Sequence, residues 1–268
     1  MVKSMFERNE FMRSNKGEVR VGERTLRLVE AGSGDPTVVL EAGAGDTALA
    51  WAAVFASVAA RTHVVAYDRA GLGASDPGPS VPSLDSQVAD LGVVLVHSAA
   101  GRCVLVGQSW GGLLAQMLTF RHPELVAGLV LVDPYHEELL TNLPGWIRRL
   151  IRLVNAHLRQ PIQRVTGGVS RGQLAESRGI ASSLPRIRQS RATSTFPDVP
   201  VIVLSATRGL PWPLRRRWTT LQAAVARAAP RGTHVVVAGA GHDIHRSRPD
   251  LVAETILGVV EEVRLSGR

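Results

Sequence analysis

Residues 103–112 read Cys103-Val104-Leu105-Val106-Gly107-Gln108-Ser109-Trp110-Gly111-Gly112. An apolar, strand-forming run enters Gly-x-Ser-x-Gly, and a further apolar stretch, Leu113–Phe120, follows it. The pattern predicts a strand, a tight turn and an amphipathic helix. Ser109 stands at the apex, in a strained backbone conformation that drives its hydroxyl outward. Gly107 and Gly111 suit the turn because a Cβ at either position would collide as the helix folds back over the strand. A helix starting near Trp110 aims its positive N-terminal end at the serine. In a chain with 26 glycines, a passive serine on a Gly-rich turn is the plainer alternative. The strand before the pentapeptide and the helix after it argue for the reactive reading.

Three other segments lie in a workable order around this one. Upstream, Thr37–Leu40 is a short apolar run ending in Glu41-Ala42-Gly43-Ala44-Gly45-Asp46. A small-residue loop there can bring a backbone N–H near the serine, where, with the Trp110 N–H, it would cradle an oxyanion. Between the two, Val64–Tyr67 leads into Asp68-Arg69-Ala70-Gly71-Leu72-Gly73-Ala74-Ser75, a strand followed by a charged, Gly-rich turn. Downstream, Val235–Val237 leads through Ala238-Gly239-Ala240-Gly241 to His242, a strand that ends by presenting a histidine.

The Ala42-Gly43-Ala44 turn, the Asp68–Ser75 turn, the Ser109 elbow and Gly241-His242 together resemble the α/β-hydrolase family, from roughly residue 17 to the end of the chain. The resemblance implies Ser109 as nucleophile, His242 as general base, and the backbone N–H groups of Ala44 and Trp110 as the oxyanion hole. Ala42 stands where the family commonly has histidine. The donor there is a backbone group, so the hole survives with a differently shaped loop.

The acid departs from the family's usual place. Many members carry it after the strand preceding the histidine strand, here Val201–Leu204, but no Asp or Glu occurs between Asp198 and Asp243. Asp198 precedes its strand and so lies at the wrong end, because sites in these sheets form outside the carboxyl ends of the strands. Asp243, next to the histidine, is poorly placed to hold its Nδ1–H. One strand earlier, Gly128–Val132 ends directly in Asp133, and the order Ser109, Asp133, His242 suits the fold. Asp133 is therefore the candidate acid, with a loop-capping role as the alternative and Glu137 and Glu138 as fallbacks. His245 is a lesser candidate for the base. His122 reads as a helix-end residue, Asp68 and Arg69 as loop braces, and Trp51 and Trp110 as packing residues, Trp110 being near enough to touch an acyl group.

Composition fits one enzyme domain. The chain has 268 residues, 45% of them hydrophobic, enough for one large core. Cys103 is the single cysteine, which excludes an internal disulfide. Residues 1–15 carry charges throughout and lack a signal-peptide core, and the Cys103–Phe120 run is broken by polar residues and glycines, so the expected compartment is the cytoplasm. The eight histidines include no pair at metal-ligand spacing with cysteine or carboxylate support, so no metal is expected.

Alternating signals predict an α/β fold. Strands fall near Gly17–Arg20, Thr25–Val29, Thr37–Glu41, His63–Tyr67, Cys103–Val106, Gly128–Val132, Val201–Ser205 and His234–Val237. Helices fall near Ala48–Ala60, Ser83–Ser98, Gly111–Arg121, Pro213–Ala229 and Pro249–Leu265. The first two strands suggest an antiparallel edge on a mostly parallel sheet with helices on both faces. Residues 136–197 interrupt the alternation where family members carry a helical cap, with Gly145–Gln160 as its main helix. The expected organisation is a core of 1–135 and 198–268 with the cap inserted at 136–197. That segment holds ten arginines against three glutamates, a net +7 in a chain of formal net charge +8. It reads as a solvated face, with membrane-surface contact or attraction of anionic substrates as alternatives. No motif supports nucleic-acid binding.

These features lead to a serine hydrolase acting on a small-molecule ester or related acyl compound, with no cofactor. Amide or carbon–carbon cleavage on the same triad are alternatives, and Ser-Trp-Gly-Gly also resembles aminopeptidases that remove N-terminal proline. Family members that open epoxides carry Asp at the elbow, which Ser109 counts against. A catalytically silent, ligand-binding member of the fold is the reading from another class.

Overall fold

A computed structural model describes residues 11–139 and 170–267. Eight strands form one sheet: β1 (Asn15–Val21), β2 (Arg24–Ala31), β3 (Val38–Glu41), β4 (Val64–Tyr67), β5 (Cys103–Gln108), β6 (Val126–Val132), β7 (Pro200–Ala206) and β8 (Arg231–Val237). Their spatial order is β1-β2-β4-β3-β5-β6-β7-β8. Only the β1–β2 and β2–β4 pairings are antiparallel; the rest of the sheet is parallel.

The described helices are α1 (Ala52–Ala59, entered through a 3-10 turn at Ala48–Trp51), α2 (Leu84–Ser98), α3 (Trp110–Arg121), α4 (Arg171–Thr193), α5 (Trp212–Ala228), α6 (Ile244–Ser247) and α7 (Pro249–Ser266). Successive strand residues face opposite sides of a sheet. Val39, Val65, Leu105, Leu129, Leu131 and Val203 accordingly join one core with α2, α3 and α5. Their neighbours Val38, Leu40, Val64, Val104, Val130 and Val132 join a second core with α1, α6 and α7. Every residue of β3, β4, β5 and β6 is buried, the signature of parallel strands covered on both faces. The architecture is a mostly parallel sheet with helices on both sides, as the resemblance implies.

Two helices differ from the sequence reading. The segment after the elbow was expected to be amphipathic, but residues 110–119 of α3 are all buried, wedged between the sheet and α2. Within the span expected to be a helical cap, α4 is a helix that the sequence reading did not place individually; its buried stripe is Glu176, Gly179, Ser183 and Ile187, three of them not apolar, and Pro185 lies inside it. Ser170 begins it with a capping box, its hydroxyl accepting from the Gln173 N–H while the Gln173 side chain accepts from the Ser170 N–H. The expected Gly145–Gln160 helix lies outside the described residues.

Candidate active site

Parallel register brings the carboxyl ends of β3, β5, β6 and β7 to one edge: Glu41 pairs with Gly107, Gln108 with Val132, and Val132 with Leu204. Ser109 follows β5 with φ 51° and ψ −115°, a conformation that costs a non-glycine residue about 1–3 kcal/mol. Bonds from both sides hold it there. Its N–H donates to the Val132 carbonyl at 3.1 Å, and its carbonyl accepts from Tyr135 N–H at 2.9 Å. A Cβ on Gly107 would stand 2.6 Å from the Gly112 Cα, and one on Gly111 2.4 Å from the Ala42 carbonyl oxygen, so both glycines are required by close backbone approach.

The Ala42–Gly45 loop lies against this elbow. A Cβ on Gly43 would meet the Gln108 Oε1 at 2.1 Å and the Ser109 Cβ at 3.5 Å. Among the described residues, neither the Ala44 nor the Trp110 backbone N–H is engaged by another group. Unengaged N–H groups on the residue after Ser109 and in the loop against the elbow are of the kind that can stabilise negative charge developing on a carbonyl oxygen.

Asp133 follows β6 with φ 45° and is 2% exposed. Its Oδ1 accepts from the Ala206 N–H at 2.8 Å, Trp218 Nε1 at 2.7 Å and Gln222 Nε2 at 3.1 Å. Its Oδ2 lies 2.6 Å from His242 Nδ1. With three donors occupying one oxygen, the other is left for the imidazole. Burial disfavours a charged His242, but the hydrogen bond and charge of Asp133, with Asp243 and Asp46, outweigh it and raise the pKa above the usual histidine value. The His242 side chain is 47% exposed, so this balance is set at a solvent-facing site. The loop carrying it is tied to the end of β7: Thr207 and Arg208 N–H both donate to the Ala240 carbonyl, and Gly239 N–H donates to Thr207 Oγ1.

The other candidates lie elsewhere. Glu137 is held by Arg191 at 2.9 Å, and Asp198 precedes β7. His245 is 1% exposed and packs on Trp51, with ring centroids 4.9 Å apart; burial, then Arg246 and His242, push its pKa down to about 3. His122 ends α3. Trp110, expected to be a packing residue, is 1% exposed and donates from Nε1 to Gln87 Oε1, so it is a core residue. Asp68 braces two turns, accepting from Ala48 and Ala74 N–H at 2.8 and 2.9 Å. Trp218 and Gln222 went unrecognised in the sequence because their polar atoms face inward from a helix whose pattern shows only amphipathicity. No group of three or more His, Cys, Asp or Glu side chains suited to a metal ion occurs among the described residues. No helix among them is long and apolar enough to cross a membrane.

A family model described as the alpha/beta hydrolase family matches residues 38–255. The chain is 28% identical over 240 residues to "Putative carbamate hydrolase RutD" of Pantoea ananatis, covering 80% of this chain and 84% of that protein. It is 30% identical over 128 residues to "Epoxide hydrolase 4" of Mus musculus, covering 46% of this chain and 36% of that protein. Among solved structures, it is similar to a thermophilic esterase from Thermogutta terrifontis, with a TM-score of 0.70 and 21% identity over 93% of this chain and 99% of that one. That last likeness concerns the fold.

Proposed function

The chain belongs to the alpha/beta hydrolase family, and on that premise we propose that it is a serine hydrolase cleaving a small ester or related acyl compound. The observation that carries this reading is the Asp133–His242 contact of 2.6 Å beside the strained Ser109 elbow. With Asp133 accepting from Nδ1–H, the imidazole presents Nε2 as a base. Ser109 Oγ attacks the carbonyl carbon as its proton passes to Nε2, and the carbonyl electron pair moves onto oxygen facing the Ala44 and Trp110 N–H groups. Collapse expels the alkoxide, which takes the proton from Nε2 and leaves an acyl-Ser109. Water, deprotonated by the same nitrogen, repeats the attack and releases the acid and free Ser109.

A serine at the elbow favours acyl chemistry over epoxide opening, although one relative is named an epoxide hydrolase. The relative named a carbamate hydrolase adds carbamates to the substrates to be screened, because their carbonyl accepts the same attack. The proposal includes a soluble small-molecule substrate, no cofactor and a cytoplasmic setting. A fluorophosphonate should form one adduct, on the Ser109 peptide, and Ser109→Ala should lower turnover on the best ester or carbamate by about 10⁵–10⁶. Near-wild-type activity in folded Ser109→Ala would remove the mechanism.

A further inference from the structure

Arg69 is 3% exposed and lies behind the Ala42–Gly45 loop. Its Nη1 donates to the Ala42 carbonyl at 2.6 Å, and its Nη2 to the Gly43 carbonyl at 2.6 Å. Two carboxylates fix the guanidinium. Glu41, at the end of β3, accepts from Nη1 at 2.5 Å; Glu176, on α4, accepts from Nε at 2.7 Å and from Nη2 at 3.0 Å. Glu176 Oε2 also accepts from the Gly45 N–H at 2.5 Å, and Gln173 Nε2 donates to the Gly45 carbonyl at 2.9 Å. A Cβ on Gly172 would stand 1.8 Å from the Gly71 carbonyl oxygen, so the start of α4 is seated on backbone here.

The Gly43 carbonyl and the Ala44 N–H belong to one planar trans peptide and point in opposite directions. A guanidinium holding the carbonyl from behind therefore turns the N–H away from itself, and Ser109 lies beside the same loop. A charge-assisted bond to the carbonyl also polarises the peptide and strengthens its N–H as a donor. We propose that Arg69 is a positioning residue for the oxyanion hole, aiming the Ala44 N–H through the Gly43 carbonyl, and that Glu176 makes this aim depend on the seating of α4. The inference rests on Ser109 acting as the nucleophile.

Arg69→Lys keeps the charge but cannot hold two carbonyls and two carboxylates at once. Glu176→Gln keeps the shape but sets an amide N–H₂ against one of the three N–H donors that converge on the carboxylate. Folded Arg69→Lys should lose about 10–100-fold in kcat, against the 10²–10³ that one whole oxyanion donor is worth. KM should stay within threefold. The rate of phosphonylation of Ser109 by a fluorophosphonate, whose P=O oxygen needs the same donors, should fall in parallel. Glu176→Gln should lose about tenfold in both rates and decides the matter if Arg69→Lys does not fold, as judged by circular dichroism and melting temperature. Folded variants with both rates within threefold of wild type would overturn the inference. A wild-type protein that takes no label on Ser109 would overturn the proposed function, and the inference with it.

Discussion

Asp133→Asn tests the proposed triad with unusual sharpness, because the surroundings dictate which way the amide must face. Three N–H donors converge on Oδ1, from Ala206, Trp218 and Gln222. An asparagine can satisfy them only with its carbonyl oxygen at that position, which puts its N–H₂ where Oδ2 faced His242 Nδ1. Nδ1 must then accept, the ring proton moves to Nε2, and Nε2 can no longer serve as the proposed base. Such enforced use of the wrong tautomer costs about 10⁴ in kcat, or about 5.4 kcal/mol in activation free energy. Stability should change little, since the three buried donors keep their acceptor. Asp133→Ala strips all three and should be the less stable variant, at about 1–3 kcal/mol per orphaned group. Steady-state kinetics on a chromogenic ester, with urea unfolding of each variant, gives both quantities. Folded Asp133→Asn within tenfold of wild-type kcat would refute the reasoning.

The acidic limb of kcat/KM against pH should lie above the ordinary histidine range, because the raised His242 pKa keeps the base protonated to higher pH; in Asp133→Asn any residual limb should move down, and a limb that stays put would count against His242 as the titrating group. His245 has its pKa shifted the opposite way, and its effect is on stability. With a pKa of about 3 when folded and 6.5 when unfolded, the native state binds fewer protons in that window, so stability should fall with falling pH by at most about 1.4 kcal/mol per unit. His245→Phe should flatten this slope in urea titrations between pH 7 and pH 5, and an unchanged slope would assign it to other groups. Gly258 is exposed inside α7, with nothing within 4 Å of an added Cβ, so Gly258→Ala should stabilise by about 0.5–1 kcal/mol. Gly111→Ala, driven into the Ala42 and Glu41 carbonyls, should fail to accumulate as folded protein.

Much of the fold was legible because parallel strands are continuous apolar runs and their boundaries are marked by glycine and charge. The position of Asp133 at a carboxyl strand end beside His242 could also be read, since carboxylates are absent from the loop after β7. Three features resisted. The α4 helix buries glutamate, glycine and serine along its stripe, so no apolar period announces it. The α3 helix is enclosed on all sides, which erases the amphipathic contrast expected of it. β8 begins at Arg231, three residues before its expected start, because Arg231-Gly232-Thr233 is an exposed edge segment that owes its extended form to pairing with β7. Arg69 and Glu176, 107 positions apart, meet only through the tertiary fold. Local pattern carries no information about such pairs.

With the proposed acid following β6, the labour of the proposed catalytic groups is divided unevenly. Ser109 and Asp133 extend from adjacent strands of one hydrogen-bonded ladder, so their separation is built into the sheet. His242 rides instead on the connection after β8, and the turn that follows β7, which carries no carboxylate, tethers that connection. Gly209 in that turn holds φ 97°, so an L side chain there is strained even though nothing stands within 4 Å of an added Cβ. A chain break between β6 and β7 would put the proposed nucleophile and acid on one fragment and the proposed base on the other, so recovered turnover would report fragment reassembly.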